Sequence, residues 1–282
     1  MNLMKKVLLN SVALCLSSSL TACSVHATSI IVALGTQEVI VAADTRRGEY
    51  KTSPTLGGSS PTFHDDQCKI AAFGRAAVAI AGVVESTWNG IVADAEANWN
   101  AVNVARVAYE AHSDDLHAMA ADWARSAVEH YGRFYVTHGF ELLQTGATDP
   151  QHPLLIAFFT GWADKTPVLY VEIVYIDQNS GITFTPIKSA EAQLPSREQP
   201  YSTNSITDEL IAGDSERAKE VAAKWKRDEL PRIKKVNQNW RWIEFLIKST
   251  NDYDTSVGKG VDVLRIPLNG KSKWLQSLAC KD

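Results

Sequence analysis

Three residues able to act on a carbonyl stand at the ends of short apolar runs: Thr28 before Ser29–Leu34, Asp44 after Val39–Ala43, and Lys69 before Ile70–Phe73. A threonine hydroxyl is a weak nucleophile by itself. If Thr28 begins the working chain, its α-amine, with an ordinary pKa of ~7.7–8.0, can take the hydroxyl proton at neutral pH, so one residue supplies nucleophile and base. A Lys69 ammonium nearby lowers the pKa of that amine and hydroxyl by direct charge interaction, and Asp44 keeps the lysine charged and in place. Gly82, after the run Ala76–Ala81, offers a backbone N–H to an oxyanion, where a glycine lets a substrate approach the main chain. Such a set would carry out acyl transfer.

Two hairpins must bring these residues together. Thr28–Leu34 and Val39–Ala43 flank the turn Gly35-Thr36-Gln37-Glu38, and pairing centred on Thr36 sets Asp44 opposite Thr28 at the open end. Lys69–Phe73 and Ala76–Ala81 flank Gly74-Arg75 and set Lys69 opposite Gly82. The strand interiors are almost wholly apolar, as in strands covered on both faces. From Val84 to His138 the Ala-rich sequence favours two helices, broken near His112-Ser113-Asp114. Strands return at Leu154–Phe159, Val168–Tyr175 and Ile182–Ile187. The polar stretch Ser189–Ser205, with Pro195 and Pro200, reads as a loop. Two helices follow near Ser215–Asp228 and Val236–Lys248, the second with Trp240, Ile243, Phe245 and Ile247 as a sheet-packing face, then a strand at Val261–Ile266. This order predicts sheets packed on each other with helical layers outside.

Whether Thr28 can begin the working chain depends on residues 1–27. Lys5 and Lys6 precede an apolar stretch from Val7 to Leu16, too short for the ~20 residues of a bilayer-spanning helix, so the segment reads as a signal peptide. Two processing readings stand. Val25-His26-Ala27 suits a general signal peptidase and frees Thr28. Leu20-Thr21-Ala22-Cys23 resembles a lipobox, in which case Cys23 is lipidated and the Thr28 amine stays locked in a peptide bond. Cys68 and Cys280 remain in the mature region, and an oxidising compartment permits them to pair, with two buried free thiols as the alternative.

Composition excludes several classes. The 282 residues are 45% hydrophobic and 21% charged with a net charge of -4, so disordered, fibrous and phosphate-tracking nucleic-acid-binding readings fall away. No repeat of 20 to 50 residues is visible. The histidines lack metal-ligand spacing, His64-Asp65-Asp66 reads as a polar loop, and no phosphate loop, G-x-S-x-G elbow or paired C-x-x-C is present.

The segments Thr28-Ser29-Ile30-Ile31-Val32, Val39 to Arg46, Lys69-Ile70 and Ala79-Ile80-Ala81-Gly82 resemble the N-terminal half of proteasome β-type subunits, members of the N-terminal nucleophile (Ntn) hydrolases. Asp254 to Val263 is similar to that family's closing glycine-rich turn and strand. The resemblance brackets residues 28–282 as one domain. It implies an α+β fold, a four-layer αββα sandwich, and threonine-dependent hydrolysis of amide bonds without cofactor or metal. By position, Thr28 matches the nucleophile, Asp44 and Lys69 its charged partners, Arg46 the structural arginine, Gly82 the oxyanion glycine, Asp254 the supporting aspartate and Ser215 the supporting serine. The family's serine after the aspartate aligns to Val257, and a one-residue shift would let Ser256 serve. The insertion Gly48–Gln67 lengthens the route to Lys69. Ala27 stands where self-processing members have glycine, which fits release by a signal peptidase in a bacterial periplasm or exterior. The expected function is a threonine-type peptidase of the cell envelope. The alternatives are an amidase or acylase for a small compound, and a non-catalytic envelope lipoprotein scaffold with Thr28 blocked. The expected partner is a peptide or amide substrate, with no nucleic acid, a membrane only through Cys23, and a homo-oligomer left open.

Overall fold

A computed structural model describes residues 29–49, 62–82, 99–144, 153–177, 187–194, 201–202, 240–251 and 257–280. Strands β1 (Ile30–Leu34) and β2 (Glu38–Asp44) form the first hairpin. Leu34 pairs with Val39, and the Gly35 N–H donates to the Glu38 carbonyl at 3.0 Å. The loop is therefore the two residues Thr36 and Gln37, which centres the register between them rather than on Thr36. Asp44 consequently lies opposite Ser29, its N–H donating to the Ser29 carbonyl at 3.1 Å, and the expected Thr28–Asp44 pairing is corrected by one residue.

A short ribbon, β3 (Arg47–Glu49) with β4 (Thr62–His64), joins the two ends of the expected insertion. The second hairpin is β5 (Ile70–Phe73) and β6 (Ala76–Gly82). Its two-residue loop closes Phe73 onto Ala76, with Gly74 at φ 58°, the left-handed conformation that tight hairpin loops need. That register sets Lys69 opposite Ile80, whose N–H reaches the Lys69 carbonyl at 3.0 Å. Gly82 lies two residues further along the strand, correcting the expected Lys69–Gly82 pairing.

Helices α1 (Ala101–Ala111) and α2 (Leu116–Gln144) are separated at the expected break. The Asn100 side chain caps α1 by accepting from the Val102 and Asn103 N–H groups, and Asp115 Oδ1 accepts from Ala118 N at 2.9 Å at the start of α2. Strands β7 (Leu155–Ala163), β8 (Thr166–Ile176) and β9 (Ile187–Leu194) continue the second sheet. Then come β10 (Tyr201–Ser202), α3 (Trp240–Asn251), β11 (Val261–Pro267) and β12 (Lys273–Gln276). Much of the expected Ser189–Ser205 loop is thus strand. β9 is polar because it is a sheet edge with mostly exposed side chains, so it lacks the apolar signature of the central strands. The strand expected over Ile182–Ile187 begins at Ile187 among the described residues, and residues 182–186 and the helix near Ser215–Asp228 lie outside them.

Among the described residues the result is mixed α+β: besides the β3–β4 ribbon, two five-stranded antiparallel sheets, ordered β10-β1-β2-β11-β12 and β5-β6-β7-β8-β9. Val32, Val41 and Leu264 of the first meet Ala79, Phe158 and Val171 of the second in one shared core. The outer face of the second sheet is covered by α1 and α2, with fully buried Trp123 edge-on to Phe159 and its indole N–H donating to the Ala101 carbonyl at 2.9 Å. Ile243 and Ile247 of α3 cover the outer face of the first sheet at Ile31, Ala42 and Val263. Among the described residues no helix is long and apolar enough to cross a membrane.

Candidate active site

Asp44 ends β2 at the edge of the apolar interior, and both it and Lys69 are 1% exposed. A carboxylate so placed must find donors, and four converge on it. Oδ1 accepts from Ser29 N at 2.7 Å and from Lys69 Nζ at 3.1 Å. Oδ2 accepts from Arg46 N at 3.1 Å and from Gly258 N at 2.9 Å. The donors come from the residue just before β1, from the chain on either side of the β3–β4 ribbon, and from the approach to β11, so the carboxylate ties both sheets together at one end.

Burial pushes the Asp44 carboxyl above its ordinary value, while the Lys69 charge and the Gly258 and Ser29 N–H groups pull it back. Burial pulls the Lys69 ammonium below its ordinary value, opposed by the Asp44 charge and hydrogen bond. Three backbone N–H groups and the Lys69 amine converge on the two oxygens, an arrangement that favours the carboxylate, and the carboxylate in turn favours the Lys69 ammonium. A lysine so desolvated loses its proton more readily than one in water, which suits it to a place beside a proton-transfer step.

The Arg46 guanidinium grips Asp65 through Nε at 2.7 Å and a second nitrogen at 2.9 Å. The hydrogen bond to Asp65 raises the Arg46 pKa, and the Arg46 hydrogen bond lowers that of Asp65. This fork closes the base of the β3–β4 ribbon, next to the Arg47–His64 pair and between Asp44 and Lys69 in the chain. Gly258 fits against it because a Cβ there would come within 2.9 Å of Arg46 Cβ and 3.0 Å of Asp65 Oδ1.

Gly82 ends β6 at φ 102°, opposite Leu155, where a Cβ would lie 2.1 Å from the Leu154 carbonyl oxygen. Its glycine is demanded by the neighbouring strand, a reason different from the substrate approach expected from sequence. Val257 is buried against Ile243 and Ile247, and so serves as a core residue.

Of the residues singled out in the sequence, Asp44, Lys69 and Arg46 come together, and Gly82 lies on β6 beyond the residue that Lys69 faces. Thr28, Cys23, Ser215, Asp254 and Ser256 lie outside the described residues. Ser29, whose nitrogen carries the peptide bond to Thr28, is the residue that donates to Asp44. Cys68 and Cys280 are joined by a disulfide. Sequence reasoning missed Asp65, Gly258 and Asp262. Asp262 carried a signal, being the single charge in the run Val261-Asp262-Val263-Leu264. Among the described residues no cluster of three or more His, Cys, Asp or Glu side chains could hold a metal ion. No protein-family model matches the chain, and no curated protein matches it in sequence.

Proposed function

We propose that the chain is an N-terminal threonine hydrolase of the cell envelope, of the Ntn type with an αββα sandwich, that cleaves amide bonds of peptides. The observation that carries this reading is that one carboxylate oxygen of Asp44 holds both the backbone nitrogen of the residue after Thr28, at 2.7 Å, and the Lys69 ammonium, at 3.1 Å. Asp44 thereby fixes the chain beside the nucleophile and the cation that would tune it by one shared contact. Removal of residues 1–27 by a signal peptidase would free the Thr28 amine, and export itself would be the activating step.

In this reading the free α-amine takes the proton of Thr28 Oγ as the oxygen attacks the substrate carbonyl. The Gly82 N–H would support the oxyanion, with Asp254, Ser215 and, by a one-residue shift, Ser256 as supporting groups. The scissile C–N bond breaks, the leaving amine takes the proton back from the Thr28 ammonium, and an ester remains on Oγ. Water, deprotonated by the same amine, then splits the ester, releasing the acid and restoring Thr28.

Near-complete burial of Asp44 and Lys69 favours a second reading, in which the pair is a structural ion pair in a non-catalytic envelope protein whose Thr28 is blocked. Intact mass and N-terminal residue of protein purified from a bacterial envelope, followed by peptide hydrolysis, separate the two. A chain starting at Thr28 whose hydrolysis is abolished in folded Thr28→Ala and partly kept in Thr28→Ser is the expected result. Full hydrolysis by Thr28→Ala, or a Cys23 start with Thr28 internal and no turnover, would overturn the proposal.

A further inference from the structure

The C-terminal segment after β12 has no regular secondary structure from Ser277 to Cys280, yet Cys280 is 3% exposed within the core between the sheets. The described contacts that hold it begin with Asp262. Its carboxylate is 1% exposed and takes the N–H groups of Leu278 and Ala279 on Oδ1 and that of Cys280 on Oδ2. Asp262 lies opposite Ala43 and alternates along β11 with Val261 and Val263, so it occupies an inward position that Leu264 and Ile266 fill with apolar side chains. A carboxylate in such a place is costly unless its hydrogen bonds are made, and here they are made by one short segment of main chain.

The other fastening is the disulfide from Cys280 to Cys68, whose next residue is Lys69. Residues 65–69 have no regular ladder of their own, and regular pairing starts at Ile70. Lys69 is therefore carried at the end of a short irregular stretch fixed by the Arg46–Asp65 fork, by the Gln67 N–H on the Thr45 carbonyl at 2.9 Å, by the disulfide, and at Lys69 itself by the Ile80 N–H on its carbonyl at 3.0 Å. The contacts close on themselves. Asp44 binds Gly258 and pairs with Val261, the neighbouring Asp262 seats Cys280, Cys280 is bonded to Cys68, and Lys69 returns to Asp44.

We propose that the Cys68–Cys280 disulfide and the Asp262 carboxylate are positioning groups for the Lys69–Asp44 pair, so that oxidation of the two thiols completes the site and reduction by a dithiol opens it. In the opening step the S–S bond breaks and two cysteine thiols form, while the dithiol gives up two electrons and two protons and becomes a disulfide. Lys69 then loses one of its fastenings, and the C-terminal segment keeps its hydrogen bonds to Asp262 and the packing of Cys280 in the core. The consequence for catalysis rests on the hydrolase reading. The geometric claim does not.

The experiment compares the full mature chain, oxidised, with the same chain treated with dithiothreitol and with oxidised Asp262→Asn. Two readouts serve: lysine acetylation mapped by peptide mass spectrometry, with exposed Lys165 as internal standard, and amide hydrogen exchange. Reduction should accelerate Lys69 labelling relative to Lys165 by at least about tenfold through local opening, and exchange should rise at residues 44–46, 66–70 and 257–260 while β7 stays protected. Asp262→Asn should shift labelling the same way with the disulfide intact. Unchanged Lys69 labelling on reduction, or faster exchange spread evenly through β7 and β8, would overturn the proposal, the second result leaving the disulfide a general staple. Absence of peptide hydrolysis in the oxidised chain would count against the hydrolase reading alone, because neither readout needs turnover.

Discussion

Two buried groups on the helix-covered face of the second sheet set opposite pH dependences, and removing either one should expose the other. Glu172 of β8 is 2% exposed and faces Glu191 across the β8–β9 ladder, with His117 of α2 on the far side of Glu191 at 2.9 Å. Burial, followed by the Glu191 charge and hydrogen bond, raises the Glu172 carboxyl to about 8 from an ordinary 4.5. A raised carboxyl pKa gives stability that is whole below pH 4.5 and is lost as pH climbs toward 8. His130 of α2, stacked on Trp99, is lowered by burial and then by Arg133 to about 4 from 6.5. Its contribution is whole above pH 6.5 and lost as pH falls toward 4. Each slope is ~1.4 kcal/mol per pH unit at most. Between 4.5 and 6.5 they oppose each other, and above 6.5 only the Glu172 loss remains. From pH 6.5 to 8 that loss is ~2 kcal/mol at full strength and ~1 kcal/mol after allowance for solvent around Glu191, or a fall of about 2–4 °C in Tm for a chain of this size. Glu172→Gln keeps the shape and a donor toward Glu191. Melting curves from pH 4.5 to 8 should show wild type losing Tm relative to Glu172→Gln above 6.5, with the difference of about 2–4 °C reached by pH 8. Groups shared by both proteins, Asp44 and Lys69 included, cancel in the difference. Parallel wild-type and Glu172→Gln curves from pH 6.5 to 8 would refute the reasoning.

Lys69→Met should lower stability by ~3–5 kcal/mol, because the Asp44 carboxylate stays buried with its charge uncompensated, and urea unfolding monitored by tryptophan fluorescence measures it. Gly82→Ala should cost at least ~1–3 kcal/mol from the left-handed φ alone, with the Leu154 carbonyl adding to it, and a Tm unchanged within a degree would mean that β6 can bend away. If Thr28 acts through its own amine, hydrolysis should rise with pH through an apparent pKa at or below ~8, and a rate independent of pH between 6 and 9 would speak against that base.

The central strands and the helix pair announce themselves through apolar runs and Ala-rich sequence, because those residues are buried on both faces or along one stripe. β9 does not, since an edge strand with exposed Lys188, Ser189 and Ala190 has no apolar pattern to display. β12, with one exposed and three half-buried residues, escapes for the same reason. Register is a different failure. Both hairpins were recognisable, but the parity of a loop decides which residues face each other, and composition alone does not distinguish a loop centred on Thr36 from one shared by Thr36 and Gln37.

That parity bears directly on the site. With Ser29 opposite Asp44, the carboxylate receives the backbone nitrogen of the residue after Thr28 instead of meeting Thr28 as its cross-strand partner. The contact is made by the main chain of Ser29, and no side-chain chemistry at position 29 is needed. A main-chain N–H contact tolerates any residue there except proline, which is why Ser29 carried no signal in the sequence. The same holds for Gly258, whose contribution to Asp44 is also an N–H and whose glycine is fixed by the Arg46 and Asp65 side chains crowding its Cβ position. Three of the four hydrogen bonds that define the buried carboxylate thus come from main chain, two of them brought in by register and by the approach to β11 from residues 15 and 214 positions away. What the sequence could reveal was the pair of charges; what it could not was the backbone that makes their burial affordable, because that depends on pairing between strands distant along the chain.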